Sequence, residues 1–436
     1  MAIENISQEN FHKICVVGGG ITGAMMVLLL KNSKMFKLSD ICWVKPSLKL
    51  KNDLRTTFFN NTSLELLNNL NVLDKLKKND YTPVKSIQVF GPNHSLPLEW
   101  DYVDTKREFG AVIKNAIVLN ILEKELKDIK QYESFVNNTK SNQFERTIYL
   151  ENKKSINTHL VLSADGKNSY FRKLLSINTI NKKTKHIVIS GFLKQSKNHN
   201  SNAIQAFTNI GPIGILPYEN KNLVNFVQSI EKVEFEKILL KKNPENFICS
   251  ELNKFFSHID LNFSPIKKIN NIENKLSYWD LNLNLVLNPT SSRAVLIGDA
   301  AHSIHPLAGQ GLNLSLRDCV SILNAIQNCL KFGRDLGDES ILKFYKEERL
   351  PRTISMTAFT NFMFFGFTST SEKTQSLLTK GMENLNKTKI KNIFRDLASL
   401  WFIKNRNILV DTYHDFFHNR IIIPNYKSPM SDYQKK

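Results

Sequence analysis

Apolar residues along this chain fall into short unbroken runs that read as buried strands, and into longer stretches that recur at helical spacing. Ile14-Cys15-Val16-Val17 is such a run; glycines follow it, and then an apolar stretch from Ala24 to Leu30. That order predicts strand, turn and helix. Ile41-Cys42-Trp43-Val44 and Leu160-Val161-Leu162 are further buried-strand runs. Ala294-Val295-Leu296-Ile297 is another, and it leads through a glycine-rich segment into a helical pattern of Leu314, Leu316, Val320 and Leu323. Residues 84–90, 186–192, 203–207 and 223–229 read as strands separated by Asn, Pro and Gly. After Pro351 the chain is expected to turn helical, with Phe359, Phe362, Met363 and Phe367 at helical spacing and Phe364 and Phe365 widening the apolar face. That face serves either the core or the mouth of an apolar channel, or a surface that touches a membrane.

Two of the strand-to-helix junctions carry chemistry. Gly18-Gly19-Gly20-Ile21-Thr22-Gly23 is a G-x-G-x-x-G in the right context, placing Gly18, Gly20 and Gly23 for a tight turn, close approach to a pyrophosphate and close helix packing. Gly298-Asp299-Ala300-Ala301-His302 runs on through His305-Pro306-Leu307-Ala308-Gly309-Gln310-Gly311-Leu312-Asn313. Here the Asp ends a strand and the glycines open a helix. A helix start with unpaired N–H groups, and glycines that let a flat ligand approach the backbone, is a site for an electron-rich group.

This second segment resembles a flavin fingerprint of the FAD-dependent aromatic monooxygenases, which have the para-hydroxybenzoate hydroxylase-like fold. Within them it is most similar to the ubiquinone-biosynthesis hydroxylases, whose signature continues to an Asp, here Asp318. Ser163-Ala164-Asp165-Gly166-Lys167-Asn168-Ser169, with Arg172 beyond, resembles the family's Asp-Gly turn, where pyrophosphate and nicotinamide cofactor come close. Asp53-Leu54-Arg55-Thr56-Thr57 is similar to the segment whose Arg contacts flavin, and residues 109–115 echo a further family segment. The chain departs from the pattern at Ser163 and Ser315, where relatives have Gly. Lys45 stands where an acidic residue about 20 positions after the glycines would bind ribose. It changes a ribose contact or signals a 2′-phosphate, hence NADP.

The resemblance implies an α/β fold: a Rossmann-like FAD-binding domain, an inserted, mostly antiparallel β-sheet substrate domain and a helical C-terminal region. The expected division is 11–80, 107–180 and 286–350 for FAD, 81–106 and 181–285 for substrate, and 351–436 for the helical region. The implied cofactor ligands are Gly18, Gly20, Gly23, Arg55, Asp165, Gly298, Asp299, Pro306, Gly309, Gln310, Gly311, Leu312 and Asn313. Among them the 309–313 helix start would stabilise charge at the flavin N1–C2=O edge, Asp299 would hold the ribityl chain, and the Pro306 backbone would border the carbon being hydroxylated. Residues 211–217 either resemble a family strand lining the substrate pocket or form an ordinary core strand. The implied reaction is oxygen transfer through a flavin C4a-hydroperoxide to an apolar phenol or quinone precursor, with molecular oxygen as co-substrate. With a single G-x-G-x-x-G there is no separate nicotinamide domain, so electrons come from transiently bound NAD(P)H or from a redox partner. No side chain is assigned as a general base; His302 and His305 are read as structural.

Composition adds limits. A length of 436 residues and 42% apolar content suit a globular chain of two or three domains. No run approaches the roughly 18 apolar residues of a membrane span, and the amino terminus, with Glu4 and Glu9, reads as no secretory signal. Cys15, Cys42, Cys249, Cys319 and Cys329 show no metal spacing and read as reduced, mostly buried thiols of a cytoplasmic protein. The formal charge of +19 comes from dispersed lysines: Lys49 and Lys51, Lys77 and Lys78, Lys182, Lys183 and Lys185, Lys387, Lys389 and Lys391. Without an aromatic-laced stripe this argues against nucleic acid and suits peripheral contact with an anionic membrane, or with a biosynthetic complex, at the inner face of a membrane. Two other function classes stay open: a flavin oxidoreductase that inserts no oxygen, and a non-catalytic lipid-binding scaffold marked by Lys45, Ser163 and Ser315.

Overall fold

The strands that build the site are, in chain order, β1 (Phe11–Val17), β2 (Ile41–Lys45), β3 (Thr56–Asn60), β4 (Tyr81–Val84), β5 (Ser86–Phe90), β6 (Gly110–Lys114), β7 (Ser155–Ser163), β8 (Ile180–Gln195), β9 (Asn202–Thr208), β10 (Gly211–Pro217), β11 (Leu223–Glu231), β12 (Ser277–Leu285), β13 (Ala294–Leu296) and β14 (His302–Ser303). The helices are α1 (Ile21–Asn32), α2 (Gln310–Lys331) and α3 (Glu339–Phe367). This computed structural model describes residues 10–46, 53–92, 97–101, 108–208, 210–269, 272–273, 276–368 and 372–386. Glu4 and Glu9, Lys49 and Lys51, Lys387, Lys389 and Lys391, and the aromatic, basic tail from Trp401 lie outside the described residues.

Residues 14–17 are buried on both sides because β1 runs through the middle of a parallel sheet. The order is Thr290–Ser291, β13, β7, β1, β2, Lys130–Glu133, and β1 is parallel to β7 (Ile14↔Leu160) and to β2 (Ile14↔Ile41). α1 is apolar nearly all round, with Ala24 to Leu30 buried, and it packs against β2, α2 and the helix Asn115–Glu125. The carboxyl ends of β1, β2, β7 and β13 therefore open side by side, the place where such sheets bind nucleotides.

The second large sheet has the order β14, β12, β8, β11, β10, β9, β5, Leu98–Asp101, antiparallel except between β9 and β5. One face is covered by the helices Lys232–Leu239 and Pro244–Phe255 and buries Ile187, Ile189, Ile213 and Phe226. Each such side chain contributes roughly 1.5–3 kcal/mol. The other face, through Phe192, Ala203 and Leu223, meets Phe58, Val84 and Val112 of a smaller sheet ordered β3, β6, β4. β14 leaves the glycine-rich segment to become an edge strand here, pairing His302 with Leu285. Fold class and architecture are those expected: parallel nucleotide-binding sheet, mostly antiparallel second sheet, helical carboxyl-terminal part.

Two elements differ from the sequence pattern. The run 84–90 is two strands, because the chain crosses between sheets at Lys85, whose amide donates to the Ser201 carbonyl at 2.8 Å. The run 84–90 contains no Gly or Pro to mark such a crossing. The helix expected after Pro351 begins at Glu339, where the Asp338 side chain accepts from the Ser340 amide at 2.7 Å, and it runs through Pro351. A mid-helix proline costs about 3 kcal/mol; the buried stripe Tyr345, Arg349, Thr353, Met356, Thr360, Phe364 and Phe367 outweighs it. No helix among the described residues is long and apolar enough to cross a membrane.

Candidate functional site

The glycine turn after β1 is built by backbone contacts that leave no room for side chains. Gly18 has φ +127°, its amide donates to the Val44 carbonyl at 2.9 Å, and a Cβ on it would sit 2.2 Å from the Ala164 carbonyl oxygen. Trp43 Nε1 donates to the Gly18 carbonyl at 2.8 Å, and a Cβ on Gly23 would lie 2.1 Å from that same oxygen. Gly20 is different: it precedes α1 as an uncapped N-cap, and nothing lies within 4 Å of where its Cβ would be. Free amides beside open space fit a pyrophosphate. Lys45 is drawn away to Glu123, with Nζ 2.6 Å from the carboxylate and 4.4 Å from the Trp43 ring centroid. Its charge is already balanced, which removes the argument for a 2′-phosphate.

The Asp-Gly turn docks beside this one, the Ala164 amide donating to the Val17 carbonyl at 2.7 Å. Ser163, in place of glycine, donates from Oγ to Asp165 at 2.8 Å, and the other Asp165 oxygen accepts from the Phe171 amide at 2.9 Å. Asp165 thus shapes the turn, and Gly166, with φ +87°, is left open. Arg172 then ties this turn to the third one by donating to the Ala300 carbonyl at 2.6 Å.

Gly298 (φ +61°) completes the convergence. A Cβ there would lie 3.0 Å from Thr22 of α1 and 2.9 Å from Ser315 Oγ. The serine found where relatives have glycine therefore fills the hollow beside Gly298, and its hydroxyl donates to the Gly311 carbonyl at 3.0 Å. Asp299 reaches solvent, yet protein crowds it closely enough that burial pushes its carboxyl up against the pull of His302, Lys167 and Arg55. Arg55, paired with Asp53 at 2.8 Å, and Lys167 share its electrostatic neighbourhood. The 20, 166 and 299 turns thus converge at the carboxyl ends of β1, β7 and β13, where sheets of this kind have their nucleotide cleft.

α2 opens on Gly309 (φ +62°) without a side-chain cap, so the amides of Gly311 and Leu312, in its first turn, have no i→i−4 partner inside the helix. Gly311 has nothing within 4 Å of its Cβ position. Asn313 does not face the cleft: its Nδ2 donates to the Phe58 and Gly309 carbonyls at 2.8 and 2.9 Å, and its Oδ1 accepts from the Asn60 amide at 3.1 Å. It pins β3 beside the helix start. The turn Leu307–Gly309, which follows Pro306, packs on β3 and on β10, so residues 211–217 border it.

Behind the turns lies a buried charge cluster in which the sequence marks Asp318 and His302 but not Arg349. Its Oδ2 accepts from the Gly298 amide at 2.8 Å and from His302 Nε2 at 2.6 Å, and its Oδ1 accepts from Arg349 Nε at 2.7 Å. Burial alone would raise this carboxyl; His302, Arg349 and the Gly298 amide outweigh burial and hold it at about 2. Arg349 lies ahead of Pro351, where the sequence pattern starts the helix, so the pattern does not mark it. A lone Arg in the stripe Tyr345, Arg349, Thr353 was the available signal.

His305 is buried with both ring nitrogens unbonded among the described residues, its ring 4.0 Å from Phe364, which also meets His186 at 4.9 Å. Burial, with His186 near, pulls its imidazole down to about 3. It stays neutral and serves as no base. Because the unfolded value is about 6.5, the unfolded chain binds a proton between the two values and the folded one does not. The stability contribution is full above about 6.5 and falls with pH toward 3, by about 1.4 kcal/mol per unit. Urea unfolding at pH 7, 5 and 4 should show His305→Leu losing that part of the slope; an unchanged slope contradicts the assignment.

The family described as FAD binding domain matches residues 12–360 of this chain. Ubiquinone biosynthesis monooxygenase COQ6, mitochondrial, of Dictyostelium discoideum is 26% identical over 87% of this chain and 89% of its own length. The Homo sapiens protein of the same name is 24% identical over 87% and 90%. Among solved structures, p-nitrophenol 4-monooxygenase PnpA from Pseudomonas putida superposes with a TM-score of 0.69 at 14% identity, covering 89% of this chain and 98% of that one. A Klebsiella pneumoniae HpxO variant complexed with FAD gives 0.67 at 13%, covering 88% and 98%. With glycine turns and uncapped helix starts of the kind FAD requires, this chain belongs to the FAD binding domain family and is an FAD-dependent monooxygenase.

Proposed function

We propose that this enzyme hydroxylates the aromatic ring of a polyprenylated phenol or quinone precursor in ubiquinone biosynthesis, with molecular oxygen as co-substrate. Relatives named for that pathway, aligned over 87% of the chain, support the pathway. One geometric observation carries the substrate class: the uncapped start of α2 and the turn after Pro306 lie against the apolar, strand-built face of the second sheet. An aromatic ring held there would be covered on one side by protein and face the cleft on the other.

The roles follow from position. Gly18, Gly20 and Gly23 make room for the pyrophosphate, with the turn shaped by Asp165 beside them. Asp299 receives ribityl hydroxyls, Gly298 lets its turn sit on α1, and Arg55 reaches the flavin from the cleft rim. The amides after Gly309, on Gln310, Gly311 and Leu312, oppose negative charge on the flavin ring, Pro306 borders the reacting carbon, and Asn313 holds the frame. Bound FAD supplies the oxygen-activating redox chemistry; the protein orients the ring and excludes water. NAD(P)H or a redox partner supplies electrons. The segments 11–80, 107–180 and 286–350 serve FAD and 81–106 with 181–285 serve substrate, while the +19 charge suits a site of action at the inner face of an anionic membrane.

The test uses FAD-loaded protein, NAD(P)H and a prenylated phenol under isotopically labelled oxygen. One labelled oxygen in the ring product is expected. An oxidised product without label would favour an oxidoreductase that inserts no oxygen and overturn the hydroxylase reading.

A further inference from the structure

The face of the second sheet that meets the Pro306 turn is not uniformly covered. Strand register lines up Val89, Gln205, Gly214 and Val227 as one row across β5, β9, β10 and β11. All four are half-buried; the neighbouring row on one side, Phe207, Pro212 and Ser229, is buried, and on the other Ala203 and Asn225 are buried while Ile87 and Leu216 are half-buried. On one side Phe207 stacks on Phe367 of α3 at 4.1 Å. On the other, Phe192 and Ala203 are buried against Phe58. Three strand steps of about 4.8 Å make this a trough roughly 14 Å long, and its middle strand, β10, packs against the Leu307–Gly309 turn.

Gln205 is the polar member of that row. Its Nε2 donates to the Ile213 carbonyl at 3.0 Å, which fixes the amide plane. Oε1 makes no hydrogen bond among the described residues, and it lies 3.7 Å from where a Cβ on Gly214 would be. The acceptor therefore projects over the one residue in the row that has no side chain. A flat ring can lie on Gly214 with a hydroxyl reaching Gln205, flanked by the valines.

We infer that Gln205 is a specificity-determining residue that accepts a hydrogen bond from the phenolic hydroxyl of the substrate ring lying over Gly214. The inference rests on the prenylated-phenol reading above. A neutral amide suits the task because it accepts without removing the proton, and its orientation is set before the ring arrives. A site built around one hydroxyl contact rejects the analogue that lacks the donor.

The probes are 2-prenylphenol and its methyl ether, titrated into FAD-loaded protein and followed by the change in flavin absorbance. The wild type should bind the phenol at least about tenfold tighter than the ether, the equivalent of one hydrogen bond. Gln205→Leu should bind both alike, with the ether affinity and FAD content unchanged. Gln205→Met, closer in shape, should behave the same way. A preference for the phenol that survives in either variant overturns the assignment, as does a wild type that binds both probes equally well. Loss of FAD from both variants overturns it too, making the position a structural one. Binding of neither probe by the wild type overturns the substrate reading itself.

Discussion

A Gly18→Ala protein is expected to lose both its FAD and most of its stability, whereas Gly20→Ala, two residues on, should lose only the FAD. At Gly18 the methyl group meets the Ala164 carbonyl at 2.2 Å, and φ +127° is a conformation that side chains rarely adopt. Neither the β1 nor the β7 backbone can move without breaking the parallel pairing Val17↔Ser163. Strain and clash together should cost at least about 3 kcal/mol. Gly20 has φ −86° and open space at its Cβ position, so alanine there should cost less than about 1 kcal/mol of folding stability, the scale of a changed N-cap. The same methyl group would stand in the path of a pyrophosphate, and FAD affinity should fall about tenfold or more. Urea unfolding of FAD-stripped protein and fluorescence titration with FAD separate the two effects. A Gly20→Ala protein that binds FAD normally would place the pyrophosphate elsewhere.

Asp318→Asn should be destabilising by about 3–5 kcal/mol, because it leaves the Arg349 guanidinium buried without its counter-charge. Protonation has a related effect in the wild type. The folded carboxyl sits at about 2, below the ordinary 3.8, so the cluster contributes fully above about pH 4 and fades as pH falls through 2. Replacing the pair together, Asp318→Leu with Arg349→Met, should recover most of the folding stability, since no charge then remains unpaired. FAD retention should not recover, because the Gly298 amide still lacks the acceptor that sets the Asp299 turn. Full recovery of both properties would show that the cluster serves folding alone.

Much of the turn geometry was legible because a glycine requirement is local. Gly18, Gly23, Gly298 and Gly309 mark places where backbone or a tightly packed side chain comes close, and their spacing to the neighbouring strands suffices to place the turns. The departures were readable as departures but not in consequence. Ser315 fits because Gly298, 17 positions away in sequence, leaves a hollow for it, and Lys45 at the end of β2 is neutralised by Glu123 of the helix Asn115–Glu125. Asn313 belongs to the right motif, but its contacts turn it toward β3. The early start of α3 was masked by Pro351, a residue that ordinarily ends helices.

By itself, then, the amino-acid order determined the class of ligand and where the strand–turn–helix junctions fall, since strand, turn and helix start are each written within a few consecutive residues. Tertiary structure alone decided which polar groups remain available to a substrate. Asp318 is consumed by Arg349 and Gly298, and Gln205 is left presenting an oxygen over Gly214. Hydrogen-bond capacity is shared out among residues from distant parts of the chain, and side-chain rows across a sheet are set by register, so neither can be read along a single strand.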